Sequence, residues 1–466
     1  MTKVLFICKY DFIEKPTIQL LAAVLKKNGH ECCYLDLKFE KDLIGEVKKI
    51  APVIIAYSIT TGNHQQMLDV NNILKKQFNF LSVFGGAHCT FFPEFIEEES
   101  VDVICRGEGE YALVELADAL GNNADYMHIK NLWVKKDGNI FRNEIRPLIE
   151  DLDTLPLPDR SIFDKYAHYR EMRRRYLITS RGCPYNCSYC FNNSLKKIYE
   201  GKGMYVRQKS VEKVIEELKL LKEEYKPLRI KFYDDIFVLN KDWILTFCKK
   251  YGSEIKIPFI AQIRVNLVNE VIIKALKDAG CITVDFGIES GNPDFRKLIL
   301  KRDIPDIKIL EVSQLLKKYR IKSLTFNMVG LPDETIEMCF DTIRLNIKAG
   351  ISYAHVLIFT PYPGTDLSDY AVDRGYFSGE NKSINSSFIY SKSIMKMKDI
   401  EKIKRLQYLF SITVSFPILL PLTRMLIKLK LDSLYQAVYF IHRVWCAAFV
   451  TKHADWKDFF IRENID

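Results

Sequence analysis

The chain has 466 residues, of which 48% are apolar and 27% are charged, and its formal net charge is +9. This length exceeds what one ordinary hydrophobic core supports, so we expect two or three domains. The composition is that of a globular protein. The mild positive charge argues against a dedicated nucleic-acid binder, although it can favour an anionic surface or substrate.

Twelve cysteines are present. Most of them fall within predicted strands or helices, where Cys behaves as a small apolar residue. The first residues, 1–8, lack the length and the cleavage site of a secretory signal peptide. We therefore expect a cytoplasmic protein, in a compartment that keeps thiols reduced.

Residues 1–120 alternate short apolar strands with amphipathic helices. Near-continuous apolar strands predict a parallel, doubly wound sheet, which binds ligands beyond the carboxyl ends of its strands. The predicted strands are 4–8, 31–36, 53–58, 81–85 and 101–105, and the predicted helices are 17–28, 41–49, 65–77 and 110–119.

Two strand ends in this region are rich in glycine. One reads FGGAHCT over 84–90 and is followed by Pro-Glu at 93–94, and the other reads RGEGE over 106–110. Paired glycines let the backbone approach a bulky ligand closely, although ordinary turns look similar. The end of the third strand adds polar side chains.

Taken together, these motifs resemble the cobalamin-binding domain that precedes many radical S-adenosylmethionine (radical SAM) domains. That domain carries a Gly-Gly-x-His turn followed by Pro-Glu, and later an Arg-Gly-Glu-Gly-Glu run. The resemblance implies that cobalamin binds here. The residues that it assigns to cobalamin are Ser58, Thr61, Gly85, Gly86, His88, Gly107 and Glu108.

One departure concerns the axial ligand of cobalt. Another cobalamin-binding group supplies a histidine from an Asp-x-His-x-x-Gly motif, and the loop at 9–16 contains no such motif. We therefore expect the cobalt to lack a histidine ligand from this motif. His88 can be read as a ligand, but we favour a hydrogen-bonding role within its loop.

The first domain ends in a hairpin and a linker. Residues 130–143 contain the dipeptide Asp137-Gly138 between apolar runs, which predicts a β-hairpin. Residues 150–165 are rich in Pro and Asp, which favours an extended linker. We divide the chain into a cobalamin-binding domain (1–145), a linker (146–172), a radical SAM domain (173–375) and a helical C-terminal region (376–466).

From residue 176 onward the alternation of strands and helices returns. Six βα units predict a partial barrel, open on one side, with functional residues at the carboxyl ends of its strands. The predicted strands are 176–179, 229–233, 259–263, 281–288, 323–329 and 354–359, and the first helix is predicted over 210–224.

Three cysteines follow the first of these strands at the spacing C-x3-C-x2-C: Cys183, Cys187 and Cys190. Thiolates are the ligands of iron–sulfur clusters, and a [4Fe–4S] cube normally takes four, so three local thiolates leave one iron open to bind a substrate. A zinc knuckle would need a fourth ligand nearby, and a disulfide would leave one cysteine over. The spacing therefore favours one cluster.

This spacing, with Tyr189 just before the last cysteine, resembles the radical SAM family. The resemblance implies that the open iron chelates S-adenosylmethionine. An electron from the cluster then splits it into methionine and a 5′-deoxyadenosyl radical, which abstracts hydrogen from an unactivated carbon. It also implies an electron donor such as flavodoxin or ferredoxin.

Polar residues at the other strand ends fit the same ligand. The resemblance assigns Asp234 and Asp235, after the second strand, to the amino group of S-adenosylmethionine. Arg264, after the third, suits a carboxylate, and Glu289, after the fourth, can bind ribose hydroxyls. Each of these residues can also be an ordinary loop residue or a helix cap, but their shared location favours a function.

The tail beyond residue 371 carries no motif. An uncharged run at 406–423 is long enough to raise a membrane span, but it contains two prolines and several polar residues. We favour a helical cap on the barrel. The alternative is a peripheral contact with a membrane interface, which bulky apolar and basic residues at 431–450 would fit.

The resemblance implies a cobalamin-dependent radical SAM enzyme that uses a [4Fe–4S] cluster, S-adenosylmethionine and cobalamin on a small-molecule or lipid-like substrate, with no nucleic acid. Methylation of an unactivated carbon is the expected reaction. One alternative is a radical cyclisation or rearrangement on a lipid- or tetrapyrrole-like substrate. Another is a cobalamin-binding sensor without catalysis. No catalytic residue is assigned from the sequence.

Overall fold

The computed structural model describes residues 1–9, 14–379, 384 and 393–453. Residues 10–13 of the loop at 9–16, and 454–466 of the C-terminal region, lie outside the described residues. The strands are β1 (Lys3–Cys8), β2 (Glu31–Asp36), β3 (Ile54–Ser58), β4 (Leu81–Gly85), β5 (Val103–Cys105), β6 (Leu132–Lys136), β7 (Asn139–Arg142), β8 (Arg174–Leu177), β9 (Ser180–Arg181), β10 (Arg207–Gln208), β11 (Arg229–Phe232), β12 (Phe259–Gln262), β13 (Cys281–Glu289), β14 (Lys322–Val329) and β15 (Tyr353–Ile358).

The helices connect these strands and then form the C-terminal region. They are α1 (Pro16–Lys27), α2 (Leu43–Ile50), α3 (His64–Lys75), α4 (Ala87–Phe91), α5 (Glu110–Gly121), α6 (Ala167–Arg170), α7 (Phe191–Ile198), α8 (Val211–Tyr225), α9 (Lys241–Glu254), α10 (Glu270–Asp278), α11 (Pro293–Leu298), α12 (Asp306–Lys318), α13 (Ile336–Ala349), α14 (Asp366–Asp373), α15 (Ile400–Ser415), α16 (Leu420–Leu426) and α17 (Asp432–Trp445).

The described residues form two compact units. The first comprises Met1–Met172, Lys197–Lys209 and Ile384, and the second comprises Arg173–Lys196 and the other described residues from Ser210 onward. The segment 146–172, predicted as a linker, thus lies in the first unit, where the Tyr169 hydroxyl donates to a carboxylate oxygen of Asp36 at 2.7 Å. Residues 197–209 also fold with the first unit rather than with the barrel that surrounds them in sequence.

The first unit is a doubly wound sheet with the strand order β2-β1-β3-β4-β5-β6-β7. Strands β1 to β5 are parallel, which confirms the predicted fold class, and β6 and β7 form the predicted antiparallel hairpin. At its turn, Asp137 and Gly138 both have positive φ, as a two-residue hairpin turn requires. The order of the parallel strands reverses between β1 and β3, and ligands of such sheets bind beyond the carboxyl ends at this switch.

The second unit contains six parallel strands in the order β15-β14-β13-β12-β11-β8. Sequential order along the sheet follows from repeated βα units, and it matches the predicted partial barrel. The helices after the strands begin at residues whose side chains accept from a backbone N–H of the first turn, which fixes where each strand-to-helix loop ends. These caps are Ser210, Asn240, Asn269, Asn292, Thr335 and Thr365.

The C-terminal helices pack against one edge of the second sheet. Helix α15 lies on β15, where the hydroxyl of Ser411 donates to the carbonyl of Ala354 at 2.6 Å, and α17 packs on α15. The uncharged run at 406–423 is broken at Pro417, between α15 and α16. None of the described helices has both the length and the apolar character to span a membrane.

Candidate functional site

The three cysteines lie in the loop between β9 and α7, beyond the carboxyl end of β8. All three are free thiols. Burial raises the pKa of Cys183, and it raises that of Cys190 to about 12. Buried sulfurs of this kind become thiolates only when a positive charge or a metal compensates them.

This loop is clamped on both sides. The backbone N–H of Ser188 donates to the carbonyl of Leu300 at 3.1 Å, and the Ser188 hydroxyl donates to the carbonyl of Ile299 at 2.6 Å. The Ser188 carbonyl in turn accepts from the N–H of Leu367 at 2.9 Å. The segments after α11 and at the start of α14 therefore fix the spacing of the cysteines.

Two buried arginines reach the central cysteine. A guanidinium nitrogen of Arg264 lies 3.8 Å from the sulfur of Cys187, and one of Arg302 lies 4.0 Å from it. The guanidinium of Arg264 also stacks over the ring of Tyr185, 3.6 Å from its centroid. Two cationic side chains therefore lie beside a single sulfur.

Asp234 and Asp235 follow β11 but have different surroundings. Oδ1 of the buried Asp234 accepts from the N–H of Thr179 at 2.9 Å and from the hydroxyl of Ser180 at 2.6 Å. Burial raises the pKa of Asp234 to about 6, although these hydrogen bonds act in the opposite direction. Its Oδ2 is buried and accepts no hydrogen bond from the described residues. Asp235 is exposed and bonds the side chain of Asn192.

Glu289 ends β13 in a left-handed conformation, with a φ of 69°. This conformation is uncommon outside glycine and indicates a position held by its surroundings. The carboxylate bonds the hydroxyl of Tyr189 and lies close to Arg302, and burial raises its pKa. Tyr189, Glu289 and Arg302 thus form one buried polar network beside the cysteine loop.

In the first unit, the predicted cobalamin residues Thr61 and His88 meet. Their Oγ1 and Nδ1 atoms are 3.0 Å apart, and the His88 ring stacks on that of His64 at 4.0 Å between centroids. Burial lowers the pKa of His88 to about 3, with a further contribution from His64. His88 is therefore a neutral imidazole at physiological pH.

Of the paired glycines, Gly86 is required by its local structure and Gly85 is not. Gly86 has a φ of 99°, and a Cβ atom there would lie 2.6 Å from the carbonyl oxygen of Ile59. A Cβ atom at Gly85 would meet only ordinary contacts. Ser58 pairs with Gly85 in the β3–β4 register, so both residues lie at the carboxyl ends of their strands.

Gly107 and Glu108 contact the segment 197–209. A side chain at Gly107 would overlap the hydroxyl of Tyr199. This hydroxyl accepts a hydrogen bond from the N–H of Glu108 at 2.9 Å. The Glu108 carboxylate pairs with Arg207 at 2.9 Å and accepts from the N–H of Ile149 at 2.9 Å. The motif that was predicted to bind cobalamin thus holds a segment of the chain in place.

Comparison with known proteins identifies the family. The model of the radical SAM superfamily matches residues 177–345, and that of the B12 binding domain matches residues 2–117. An uncharacterized methyltransferase of Pyrococcus horikoshii is 38% identical over 343 residues, which cover 72% of this chain and 73% of that protein. The chain belongs to the radical SAM family, in the group with an N-terminal cobalamin-binding domain.

Two further comparisons support the family and the fold. An anaerobic magnesium-protoporphyrin IX monomethyl ester cyclase of Rubrivivax gelatinosus is 26% identical over 302 residues, or 62% of this chain and 53% of that protein. The solved structure of the radical SAM methyltransferase TsrM from Kitasatospora setae, with a tryptophan substrate and an analogue of S-adenosylmethionine bound, matches with a TM-score of 0.67 at 17% identity. The match covers 80% of this chain and 76% of that one.

The cofactors of this radical SAM protein are a [4Fe–4S] cluster, S-adenosylmethionine and cobalamin, as predicted. The donor set at the cysteine loop fits the first two. Its three free sulfurs are close enough to interact electrostatically, and the unused oxygen of Asp234 can accept from an ammonium group. Among the described residues, no three His, Cys, Asp or Glu side chains converge on a single metal ion. A cluster distributes its ligands over separate irons.

Sequence reasoning missed several charged residues of this radical SAM chain. Arg302 lies 115 positions from Cys187 in a loop without a motif, and Arg207 lies 99 positions from Glu108. A third group is buried in the second unit, where Asp285 pairs with Lys231 at 3.0 Å and with His453 at 2.8 Å. Burial would raise the pKa of Asp285, but its two partners outweigh burial and lower it to about 2.

Proposed function

We propose that this chain is a cobalamin-dependent radical SAM methyltransferase that methylates an unactivated carbon of a small-molecule or lipid-like substrate. The observation that carries the proposal is the clamped loop with three free cysteines beside two buried arginines. Its 38% identity to a methyltransferase supports methyl transfer as the reaction. The bound cofactors supply a carbon-centred radical and a methyl group, and the protein supplies orientation and exclusion of water.

In this proposal Cys183, Cys187 and Cys190 hold the cluster. Asp234 holds Thr179 and Ser180 through one carboxylate oxygen and accepts from the amino group of S-adenosylmethionine through the other. The remaining residues proposed to position S-adenosylmethionine are Asp235, Arg264, Glu289 and Tyr189.

Cobalamin binds the first unit at the carboxyl ends of β3 and β4. Ser58, Thr61 and His88 supply neutral hydrogen-bonding groups, and Gly85 and Gly86 allow close approach of the backbone. Gly107 and Glu108 have their contacts within the chain, so we assign them to support of this site rather than to direct contact with cobalamin.

A radical cyclisation is the second candidate reaction. The cyclase of Rubrivivax gelatinosus is also similar in sequence to this chain, at 26% identity. The mass of the product separates the two reactions, because methylation adds one methylene unit and cyclisation does not.

The test uses anaerobically purified protein with its cluster and cobalamin restored. With reductant, or with flavodoxin or ferredoxin as the proposed electron donor, the wild-type protein should release 5′-deoxyadenosine from S-adenosylmethionine. The Cys187→Ala variant should lose the cluster absorbance and this activity but retain cobalamin. Absence of 5′-deoxyadenosine from fully loaded wild-type protein would instead favour a cobalamin sensor.

We also propose that the C-terminal region contacts an anionic membrane surface. Large apolar side chains between 416 and 449 are exposed, among them Ile418 (87%), Ile441 (69%) and Trp445 (48%). Lys428 and Lys430 are exposed beside them. Apolar residues next to lysines are typical of helices that lie in a bilayer interface.

Sedimentation with lipid vesicles tests this contact. The wild-type protein should sediment with vesicles that contain phosphatidylserine and less with pure phosphatidylcholine vesicles, and a double Ile441→Glu, Trp445→Glu variant should lose the binding. The matched control places glutamates at Val271 and Ile307, which are also exposed apolar residues of this unit. Self-association without vesicle binding would show that a second copy covers this surface, and the proposal would fail.

A further inference from the structure

We propose that Arg302 is a positioning residue that holds the sulfur of Cys187 and raises the reduction potential of the cluster. The inference rests on the proposed function, because it requires Cys187 to be a cluster ligand. Arg302 lies in a loop without a recognisable motif.

The geometry fixes Arg302 from several sides. The residue is 7% exposed, and Nη2 donates to the carbonyl of Gly287 at 2.7 Å. Nη1 lies 3.4 Å from the hydroxyl of Tyr189 and 4.0 Å from the sulfur of Cys187. A side chain at Gly287 would collide with Glu289 and approach Arg302 to 3.0 Å, so the glycine leaves room for this network.

Two arginines contact the sulfur of Cys187 directly. Arg264 and Arg302 both reach the sulfur, while Glu289 is the carboxylate that interacts with both arginines. Reduction adds one negative charge to a cluster, and nearby cations and N–H···S hydrogen bonds stabilise that charge. Such contacts raise the reduction potential, and burial strengthens them because solvent screens them less.

Arg302 and Arg264 differ in whether their contacts depend on a bound ligand. Arg264 stacks on Tyr185 and is proposed to bind the carboxylate of S-adenosylmethionine, so its contact with Cys187 can change when that ligand binds. The two terminal nitrogens of Arg302 contact Gly287, Tyr189 and Cys187 within the protein. Arg302 is therefore suited to act on the cluster in every state of the site.

A redox titration monitored by electron paramagnetic resonance tests the inference without substrate. In the anaerobically reconstituted full chain, Arg302→Gln should assemble the cluster with unchanged iron content. At a fixed potential, its ratio of reduced to oxidised cluster should fall about tenfold, which corresponds to about 59 mV for one electron. Arg302→Lys retains the charge but not the fork, so its ratio should fall by less.

Lys301→Gln is the matched control. It removes the same charge at the adjacent residue, but Lys301 is exposed and pairs with Asp366, so its ratio should stay at the wild-type value. A wild-type ratio in the Arg302→Gln variant would overturn the inference. So would loss of the cluster from both variants with an unchanged thermal midpoint, because Arg302 would then serve assembly only. If the wild-type protein itself formed no [4Fe–4S] cluster, the proposed function would fail instead.

Discussion

The two sheets present different chemistry at the ends where we propose that ligands bind. At the first sheet, the candidate residues Thr61 and His88 are neutral and contact each other. At the second sheet, the candidate residues include a buried carboxylate, Asp234, and two buried guanidinium groups, Arg264 and Arg302. Both ends belong to parallel α/β units, so the fold class does not determine this difference.

The proposed ligands explain the contrast. S-adenosylmethionine carries an ammonium, a carboxylate and a sulfonium group, and a thiolate-bound cluster is anionic. The protein side chains that pair with these groups are therefore charged, and in the second unit they are buried. Burial of charge is costly unless each group is paired. Cobalamin is far larger than these charged groups, and its proposed site uses backbone approach and neutral hydrogen bonds. The comparison predicts that substitutions of charge have larger effects in the second unit.

The largest effect is expected at Asp285. Replacing Asp285 with Ala leaves Lys231 buried without its anion and removes the partner of His453. We expect the free energy of unfolding to fall by about 3–5 kcal/mol, as measured by urea denaturation of the second unit.

Asp278→Ala is the matched control for this substitution. Asp278 forms the same Asp–Lys pair with Lys274 at 2.6 Å, but both side chains are more than half exposed. Because water screens this pair, the Asp278→Ala substitution should lower the free energy of unfolding far less than Asp285→Ala does. Equal effects of the two substitutions would show that burial does not increase the contribution of an Asp–Lys pair to the stability of the second unit.

Much of this contrast could be read from the sequence. The glycine motifs, the cysteine spacing and the polar strand ends are local patterns that can be recognised in the sequence. The alternation of apolar strands with helices predicted both sheets. Pairing at long range could not be predicted, since Arg302 reaches Cys187 from a loop without a motif and Arg207 reaches Glu108 from the two-residue strand β10. A buried arginine and a solvated one look alike in a sequence.

The two carboxylates after β11 show the same limit at short range. The family resemblance assigned Asp234 and Asp235 to one role, binding of the amino group of S-adenosylmethionine. The structure buries Asp234, which accepts hydrogen bonds from Thr179 and Ser180. Asp235 is more exposed, but it lies close enough to the cysteine loop to interact with two of its sulfurs. Which of two neighbouring residues faces inward depends on where the strand ends, and element ends are set by tertiary contacts as well as by local sequence.

Asp234 gives the next prediction, on pH. Its folded pKa of about 6 lies above the ordinary value of 3.8, so the folded state binds the proton more tightly. This contribution to stability is fully present below pH 3.8 and is lost as the pH rises through 6. Between pH 4 and pH 7 it amounts to about 2–3 kcal/mol, and Asp234→Asn should remove it from denaturation curves of the cofactor-free chain. An unchanged pH dependence in this variant would contradict the assignment.

His88 should show the opposite sign. Its folded pKa of about 3 lies below the ordinary value of 6.5, so the unfolded state binds the proton more tightly. Stability is fully present above pH 6.5 and falls with the pH down to about 3. From pH 7 to pH 5 the loss is about 2 kcal/mol, and His88→Gln should abolish it in the first unit. A loss that persists in the variant would have to come from another group.

The smallest effect on cofactor binding is expected at Glu108. If its carboxylate serves only Arg207 and Ile149, then Glu108→Gln keeps an oxygen acceptor but leaves the buried guanidinium of Arg207 without its counter-charge. The free energy of unfolding should then fall by about 1.5–3 kcal/mol. Cobalamin content, measured by absorbance after gel filtration, should equal that of the wild type. Loss of cobalamin at unchanged stability would mean that the first sheet also binds its cofactor through a charged side chain. The contrast between the two sheets would then be one of degree.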